Sequence, residues 1–335
     1  MTNRRLFIGS LAAAGVMARG SRAAVVEPAV LTVLEGIASA GPLAVTRTGQ
    51  TLSVLEPSQR RIVAIDPAEP LKRWTALDAA ADDTATIEAM TSLDSSTLIA
   101  VWRSGEEWSL RVHRVRPPGD DMAEAATLQT LPLGRAAGTA RIDVLVSPSR
   151  NLVAVAGLPS PLPPLLRGRI TGARLDGPTD RRCPSDNARR PAGVAFGPGE
   201  EWILLTVPAA TPDAAARLAW FSPAGGDPLL ELDTGLPGVR DAAWDNEGGL
   251  LYALAGLPGS ASHPEGLWRV DAALVDRRQT CRPVCVARFA APHSLVCLPR
   301  HTVMVSQAAG MGRVTRVSVP DEPVDAATVP GGAGE

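Results

Sequence analysis

The stretch Ala192-Gly193-Val194-Ala195-Phe196, a turn, then Trp202-Ile203-Leu204-Leu205-Thr206-Val207 decides the fold, because the same phrase returns further along the chain. It comes back as Asp241-Ala242-Ala243-Trp244, a turn, and Leu250-Leu251-Tyr252-Ala253-Leu254-Ala255. Each copy is a small apolar strand, a Gly/Asp/Ser/Pro turn and a stronger Val/Leu/Ile strand. A unit of this size cannot bury its own face and must stack on a neighbour, which is the logic of radial sheets. Working outward, the stronger strands are anchored at Leu52, Leu98, Leu152, Ile203, Leu251 and Val303, with steps of 46, 54, 51, 48 and 52 residues. That period suits a four-stranded blade. The fold expected is all-β: a six-bladed β-propeller of four-stranded antiparallel blades.

The strands can be read in turn. Unit one has 43–46, 51–55, 61–66 and 71–77; unit two has 87–91, 97–102, 108–115 and 125–131. Unit three has 142–146, 152–156, 168–175 and a weak fourth strand near Cys183. Unit four has 192–196, 202–207, 217–221 and 228–232; unit five has 239–244, 250–255, 267–271 and 284–289. Unit six supplies 293–298, 302–306 and 313–319, with only a feeble outer strand at 324–329. A better one stands at the other end of the chain, Ala29-Val30-Leu31-Thr32-Val33-Leu34. It is expected to complete the last blade, which ties the termini together and covers a raw sheet edge. Residues 79–90 and 212–216 are compatible with helical turns.

The bulk numbers agree. Apolar residues make up 45% of the 335, enough for a core, and 30 prolines with 31 glycines suit many tight turns. The net charge is −2, with 33 basic residues scattered among 35 acidic ones, so no basic stripe invites a nucleic acid. Asn3-Arg4-Arg5-Leu6-Phe7-Ile8, an apolar run to Met17 and Ser21-Arg22-Ala23 make a signal peptide too short to span a membrane. The Arg4-Arg5 pair followed by Phe-Ile resembles a bacterial twin-arginine (Tat) export signal, which implies a periplasmic protein. The expected organisation is a signal peptide at 1–23, one propeller domain at 24–329 and a flexible tail at 330–335, with no membrane span in the mature chain and a monomeric state.

Four cysteines remain, and an oxidising compartment permits disulfides. The pairings expected are Cys285 with Cys297 or Cys281 with Cys285. Buried free thiols are the alternative, with Cys183 unpaired. Gly-x-Ser-x-Gly, Cys-x-x-Cys-His, Walker A and His-Glu-x-x-His motifs are all missing from the sequence. His113 reads as a surface residue, His301 as a turn residue, and His263 as part of an exposed loop.

In a propeller the first strand of every blade lines the central channel. About ten residues before the anchors stand Pro42, Glu88, Asp143, Gly193, Asp241 and His293. Glu88, Asp143, Asp241 and His293 are therefore candidate ligands for a divalent cation (Zn, Mn or Ca), three oxygens and a nitrogen suiting Zn or Mn better than Ca. The opposing expectation is a wet channel whose polar groups bond water and neighbouring backbone.

The phrase Val239-Arg240-Asp241-Ala242-Ala243-Trp244-Asp245-Asn246-Glu247-Gly248-Gly249-Leu250-Leu251-Tyr252 resembles the blade signature of gluconolactonase-like, strictosidine-synthase-like and NHL-type propellers. Gln59-Arg60-Arg61-Ile62-Val63-Ala64-Ile65-Asp66 is similar to the third strand of such blades. The resemblance implies a lactonase ligand set, with Asp241 where the last acidic ligand falls. The early Glu is missing from Gly41-Pro42-Leu43, and Pro191-Ala192-Gly193 lacks the Asn. Glu35 offers an early Glu only from the closing strand. The leading expectation is thus an exported module binding a protein, an envelope component or a small ligand. The alternative is a metal-dependent lactonase or esterase.

Overall fold

The computed structural model describes residues 28–319 apart from 38, 79–83, 121–122, 139–140, 177–190, 192, 197–202, 208–210, 212, 223–229, 246–249, 276–277 and 309–311. The signal-peptide and tail readings, the weak strand at 324–329 and Cys183 lie outside the described residues.

Six four-stranded antiparallel sheets form a six-bladed propeller. The first described strand is β1 (Ala29–Ile37). Blade one is β2 (Leu43–Val45), β3 (Leu52–Glu56), β4 (Arg61–Ile65) and β5 (Arg73–Asp78). Blade two is β6 (Ala85–Ser92), β7 (Thr97–Ser104), β8 (Glu107–Arg114) and β9 (Ala126–Arg135). Blade three is β10 (Asp143–Val146), β11 (Leu152–Ala156), β12 (Leu165–Thr171) and β13 (Arg174–Leu175). Blade four is β14 (Gly193–Phe196), β15 (Ile203–Val207), β16 (Ala215–Phe221) and β17 (Leu230–Pro237). Blade five is β18 (Asp241–Asp245), β19 (Leu250–Ala255), β20 (Gly266–Val275) and β21 (Arg278–Arg288). Blade six is β22 (Pro292–Leu298), β23 (Thr302–Gln307) and β24 (Gly312–Ser318), with β1 as its fourth strand. The inner strands β2, β6, β10, β14, β18 and β22 touch in that order, and β22 meets β2 to close the ring.

The middle strands show why these segments become blades. Leu98 to Trp102 of β7 are all buried, yet period two sorts them to opposite faces. Ile99 and Val101 join a core with blade three, while Leu98, Ala100 and Trp102 join one with blade one. β11 divides likewise, Val153 and Val155 toward blade two, Ala154 and Ala156 toward blade four. Six such apolar clusters fill the six gaps between neighbouring blades.

The closing strand forms as expected. β1 runs antiparallel to β24 with Ala29 opposite Ser318 and Thr32 opposite Thr315, and bulges bring Leu34 opposite Val314 and Ile37 opposite Gly312. Val33, Leu34 and Ile37 enter the core between blades six and one. A second clasp lies on the inner side, where the buried Ser306 hydroxyl donates to the Gly41 carbonyl at 2.8 Å.

Four expectations change. The fourth strand of blade three is β13, not a segment near Cys183, because Gly172 at φ +63° turns the chain and folds 168–175 into a hairpin with Ile170 opposite Leu175. Residues 85–90 are strand rather than helix, since pairing with β7 serves their backbone groups and buries Ala85, Ile87 and Ala89 in alternation. Ala215 and Ala216 begin β16.

His113 is the fourth correction: it is buried, not on the surface. Trp102 Nε1 donates to His113 Nε2 at 2.9 Å, and His113 Nδ1 lies 3.2 Å from the Thr127 hydroxyl. An indole only donates, so Nε2 accepts and the ring proton sits on Nδ1. Burial first, then the Arg111 charge, lowers the His113 pKa to about 4 and keeps the ring neutral.

Candidate functional site at the channel mouth

Each inner strand begins at one mouth of the channel, where the chain arrives from the preceding blade, and ends at the other in the turn to the second strand. The first is called here the link-side mouth and the second the turn-side mouth. Asp143 and Asp241 open β10 and β18, so both stand at the link-side mouth.

Three polar side chains there repeat one arrangement. Asp143 Oδ2 of blade three accepts the Val194 N–H of blade four at 2.8 Å. Asp241 Oδ2 of blade five accepts the Leu295 N–H of blade six at 2.8 Å. Ser294 Oγ of blade six accepts the Leu43 N–H of blade one at 3.4 Å. Each staples an inner strand to the next, satisfying amides that the blade's own ladder leaves free. Blade four carries Gly193 at this position, and a Cβ there would lie 3.3 Å from the Ala242 nitrogen, so its bare backbone lets blade five come close.

The residue that organises the mouth was not among the candidates. Arg141, two residues before Asp143, reaches across to blade six, diametrically opposite in a sixfold ring. Its Nη2 donates to the His293 carbonyl at 2.9 Å and lies 4.0 Å from Asp241 Oδ2. Its backbone is held by close packing: Gly157, at φ +85°, faces it so closely that a Cβ would stand 1.9 Å from the Arg141 carbonyl oxygen. A sequence signal existed in the phase of Arg141, which is that of Asp143 displaced by one period-two step.

The electrostatics follow from this packing. Loss of water first, then the Asp241 charge, pushes the Asp143 pKa up to about 7, against the pull of the Val194 N–H and Arg141. Burial also raises the Asp241 pKa, opposed by Arg141 and by hydrogen bonds from Leu295 and Ser294. Desolvation and then Arg141 lower the His293 pKa. The mouth therefore carries a positive charge beside two acids whose pKa values burial raises, that of Asp143 to about 7.

The four candidate cation ligands do not converge. Glu88 lies at a bulge between Ile87 and Ala89 and turns to its own blade, where Oε1 accepts from Arg103 Nε at 2.7 Å and the Thr86 hydroxyl at 2.8 Å. His293 contributes its carbonyl to Arg141. Asp143 and Asp241 do share the mouth, but the cation between them is a guanidinium. Among the described residues no three His, Cys, Asp or Glu side chains form a group that could hold a metal. A divalent ion here would meet Arg141's charge with two oxygens already bonded to amides, so the residues do not fit a resident Zn, Mn or Ca in this arrangement.

Neither expected disulfide forms: Cys285 and Cys297 are free thiols. Cys297 sits on the inner strand β22 and Cys285 on the outer strand β21, a radial offset of about 14 Å at ~4.8 Å per strand. Cys281 and Cys285 lie four residues apart on one extended strand, about 13 Å at ~3.3 Å per residue, where a disulfide needs Cα atoms within about 7 Å.

Solved structures share this architecture. A PQQ-bound aldose sugar dehydrogenase from Streptomyces coelicolor aligns over 88% of this chain and 99% of its own, with TM-score 0.59 at 14% identity. The chain has the fold of these propellers. A gluconolactonase from Xanthomonas campestris aligns over 88% and 90%, with TM-score 0.55 at 16% identity. Hydrazine synthase from Kuenenia stuttgartiensis aligns over 87% and 80%, with TM-score 0.54 at 11% identity. Three proteins of different description on one scaffold set the architecture and leave the chemistry to the residues at the mouth. No protein-family model and no curated sequence matches the chain.

Asp143 supplies a test. Its folded pKa stands near 7 against 3.8 for the free carboxyl, so the folded state keeps a proton that the unfolded chain releases. Wild-type stability should therefore fall as pH rises from 4 to 7 through this group. Asp143→Asn keeps an acceptor for Val194 and removes the titration. Its melting temperature should match wild type near pH 4 and exceed it by a few degrees at pH 8. Parallel melting curves across that range would disprove the assignment.

Proposed function

We propose that the chain is an exported, periplasmic and monomeric binding module that takes a small polar ligand at the link-side mouth. The observation that carries this reading is Arg141: its side chain is 34% exposed and makes one hydrogen bond to a described residue, so further N–H donors stay available. Beside it stand the carboxyl groups of Asp143 and Asp241. Donors and acceptors at such spacing recognise molecules rich in hydroxyl or carboxylate groups. The Arg4-Arg5 motif supports export, and the fold supports a ligand on the channel axis.

The alternative is a metal-dependent lactonase or esterase using Glu88, Asp143, Asp241 and His293 with Zn, Mn or Ca. Its support is that Asp143 and Asp241 share one mouth; the Arg141 charge and the engagement of Glu88 weigh against it.

One experiment separates the two. The mature chain from residue 24 is analysed for metal and titrated calorimetrically with sugar acids and polyols. The expected result is substoichiometric metal and binding that weakens at least tenfold in Arg141→Gln. Stoichiometric zinc, manganese or calcium that is lost in Asp241→Ala, together with hydrolysis of lactones or aryl esters, would establish the enzyme reading instead.

A further inference from the structure

The opposite mouth carries charge that the ligand reading does not use. Three turns there are knit together. In blade one, Thr46 to Thr51 is closed by Gly49 N–H to the Thr46 carbonyl at 2.8 Å, and in blade three Ser147 to Leu152 is closed by Arg150 N–H to the Ser147 carbonyl at 2.9 Å. Arg47 Nη1 bonds the Pro148 carbonyl of blade three at 2.9 Å. Gly49 packs on Pro299 of blade six so tightly that a Cβ would lie 3.0 Å from its ring. This continuous rim presents Arg47, Arg150 and Arg300, all exposed, with His301 beside them.

The backbone adds a second, independent observation. Arg150 and Arg300 sit at φ +61° and +62°, in the left-handed region where L side chains are disfavoured. Blade one fills the position equivalent to Arg150 with Gly49, at φ +69°. Arginine at that place costs stability that glycine would not, and strain retained on an exposed turn points to function. Arg150 makes no ion pair or side-chain hydrogen bond with a described residue, so nothing in the described fold explains its charge. Two acids near the rim among the described residues are engaged: Asp245 holds His301 Nδ1 at 2.7 Å, and Asp94 Oδ1 takes both the N–H and the hydroxyl of Ser96.

We infer that the rim formed by Arg47, Arg150 and Arg300 is a docking surface for a short acidic segment of a partner protein. Charge complementarity selects the chemistry. A short segment fits because the basic arc is local, whereas a membrane or a nucleic acid would also meet the 35 acidic residues of a chain with net charge −2.

The test uses the mature chain and an octaglutamate peptide followed by fluorescence anisotropy. Wild type should bind at low ionic strength and release the peptide as salt shortens the screening length to about 3 Å near 1 M. Arg150→Gly removes both charge and strain, so it should bind about fivefold more weakly while melting at or above the wild-type temperature; Arg150→Lys should keep most of the affinity. Arg141→Gln, at the far mouth, should bind the peptide as wild type does, which separates this surface from the ligand site. Failure of wild type to bind, unchanged binding in the Arg47→Ala/Arg150→Gly double variant, or equal competition by inorganic phosphate at the same charge concentration would each overturn the inference.

Discussion

A chain beginning at residue 38 should fail to show a cooperative melting transition, whereas one beginning at residue 28 should melt as the full mature protein does. The ten residues between them contain β1, the outer strand of blade six. Without it β24 loses its antiparallel ladder, and the core between blades six and one loses Val33, Leu34 and Ile37. At about 1.5–3 kcal/mol for each large apolar side chain, the loss is on the order of 5–9 kcal/mol before any ladder hydrogen bond is counted. That is comparable with the whole stability of an ordinary domain, about 5–15 kcal/mol. The cost is concentrated at one seam, because among the described strands blade six alone joins an early segment, β1, to the last three, β22 to β24. Circular dichroism on heating reads it directly. A shortened chain melting within a few degrees of the longer one would show that the ring closes without β1.

The second large effect is expected from Arg141→Met, which keeps the length and apolar stem of the side chain and removes its charge. Two acids with raised pKa values would then face each other without the guanidinium that offsets their charge, Arg240 being paired with Glu265. Removing one partner of a buried ionic group commonly costs about 3–5 kcal/mol; with the arginine 34% exposed, about 2 kcal/mol at pH 8 is the sensible figure. That corresponds to a melting temperature lower by roughly 5 °C. The sign of the pH dependence is fixed. Loss of Arg141 raises both acid pKa values further above that of the free carboxyl, so the variant binds protons more avidly when folded. Its deficit should therefore be largest at pH 8 and shrink toward pH 5, as the acids become neutral in the folded protein. An equal loss at both pH values would mean that the arginine acts by packing alone.

The exposed residues of β1 qualify the closing strand in a useful way. Val30 and Leu31 are 54% and 57% exposed although they sit in a strand. Their backbone pairs with β24, but their side chains extend beyond the core, which begins at Val33. Only the C-terminal half of β1 supplies burial, so that half should dominate any series of shorter truncations.

What could be read from the residues, and what could not, divides by the range of the interaction. The six blades, the number of strands in each and the use of the N-terminal strand followed from period-two alternation and a repeat near fifty residues. Both are local patterns that act identically in every copy. His113 is buried against the expectation of its alternating strand because the face it points to is covered by Trp102 and Thr127. The role of Asp143 and Asp241 was half legible: their phase put them on the channel, but phase says nothing about which backbone amide stands opposite.

The amino-acid sequence by itself determined the ring, since each repeat must bury two faces and has only its neighbours to bury them on. Only the tertiary structure decided that the charge meeting Asp241 comes from Arg141, two blades away around the ring. A side chain crossing the axis depends on where blades three, five and six stand relative to one another, and no local spacing along the chain encodes that distance.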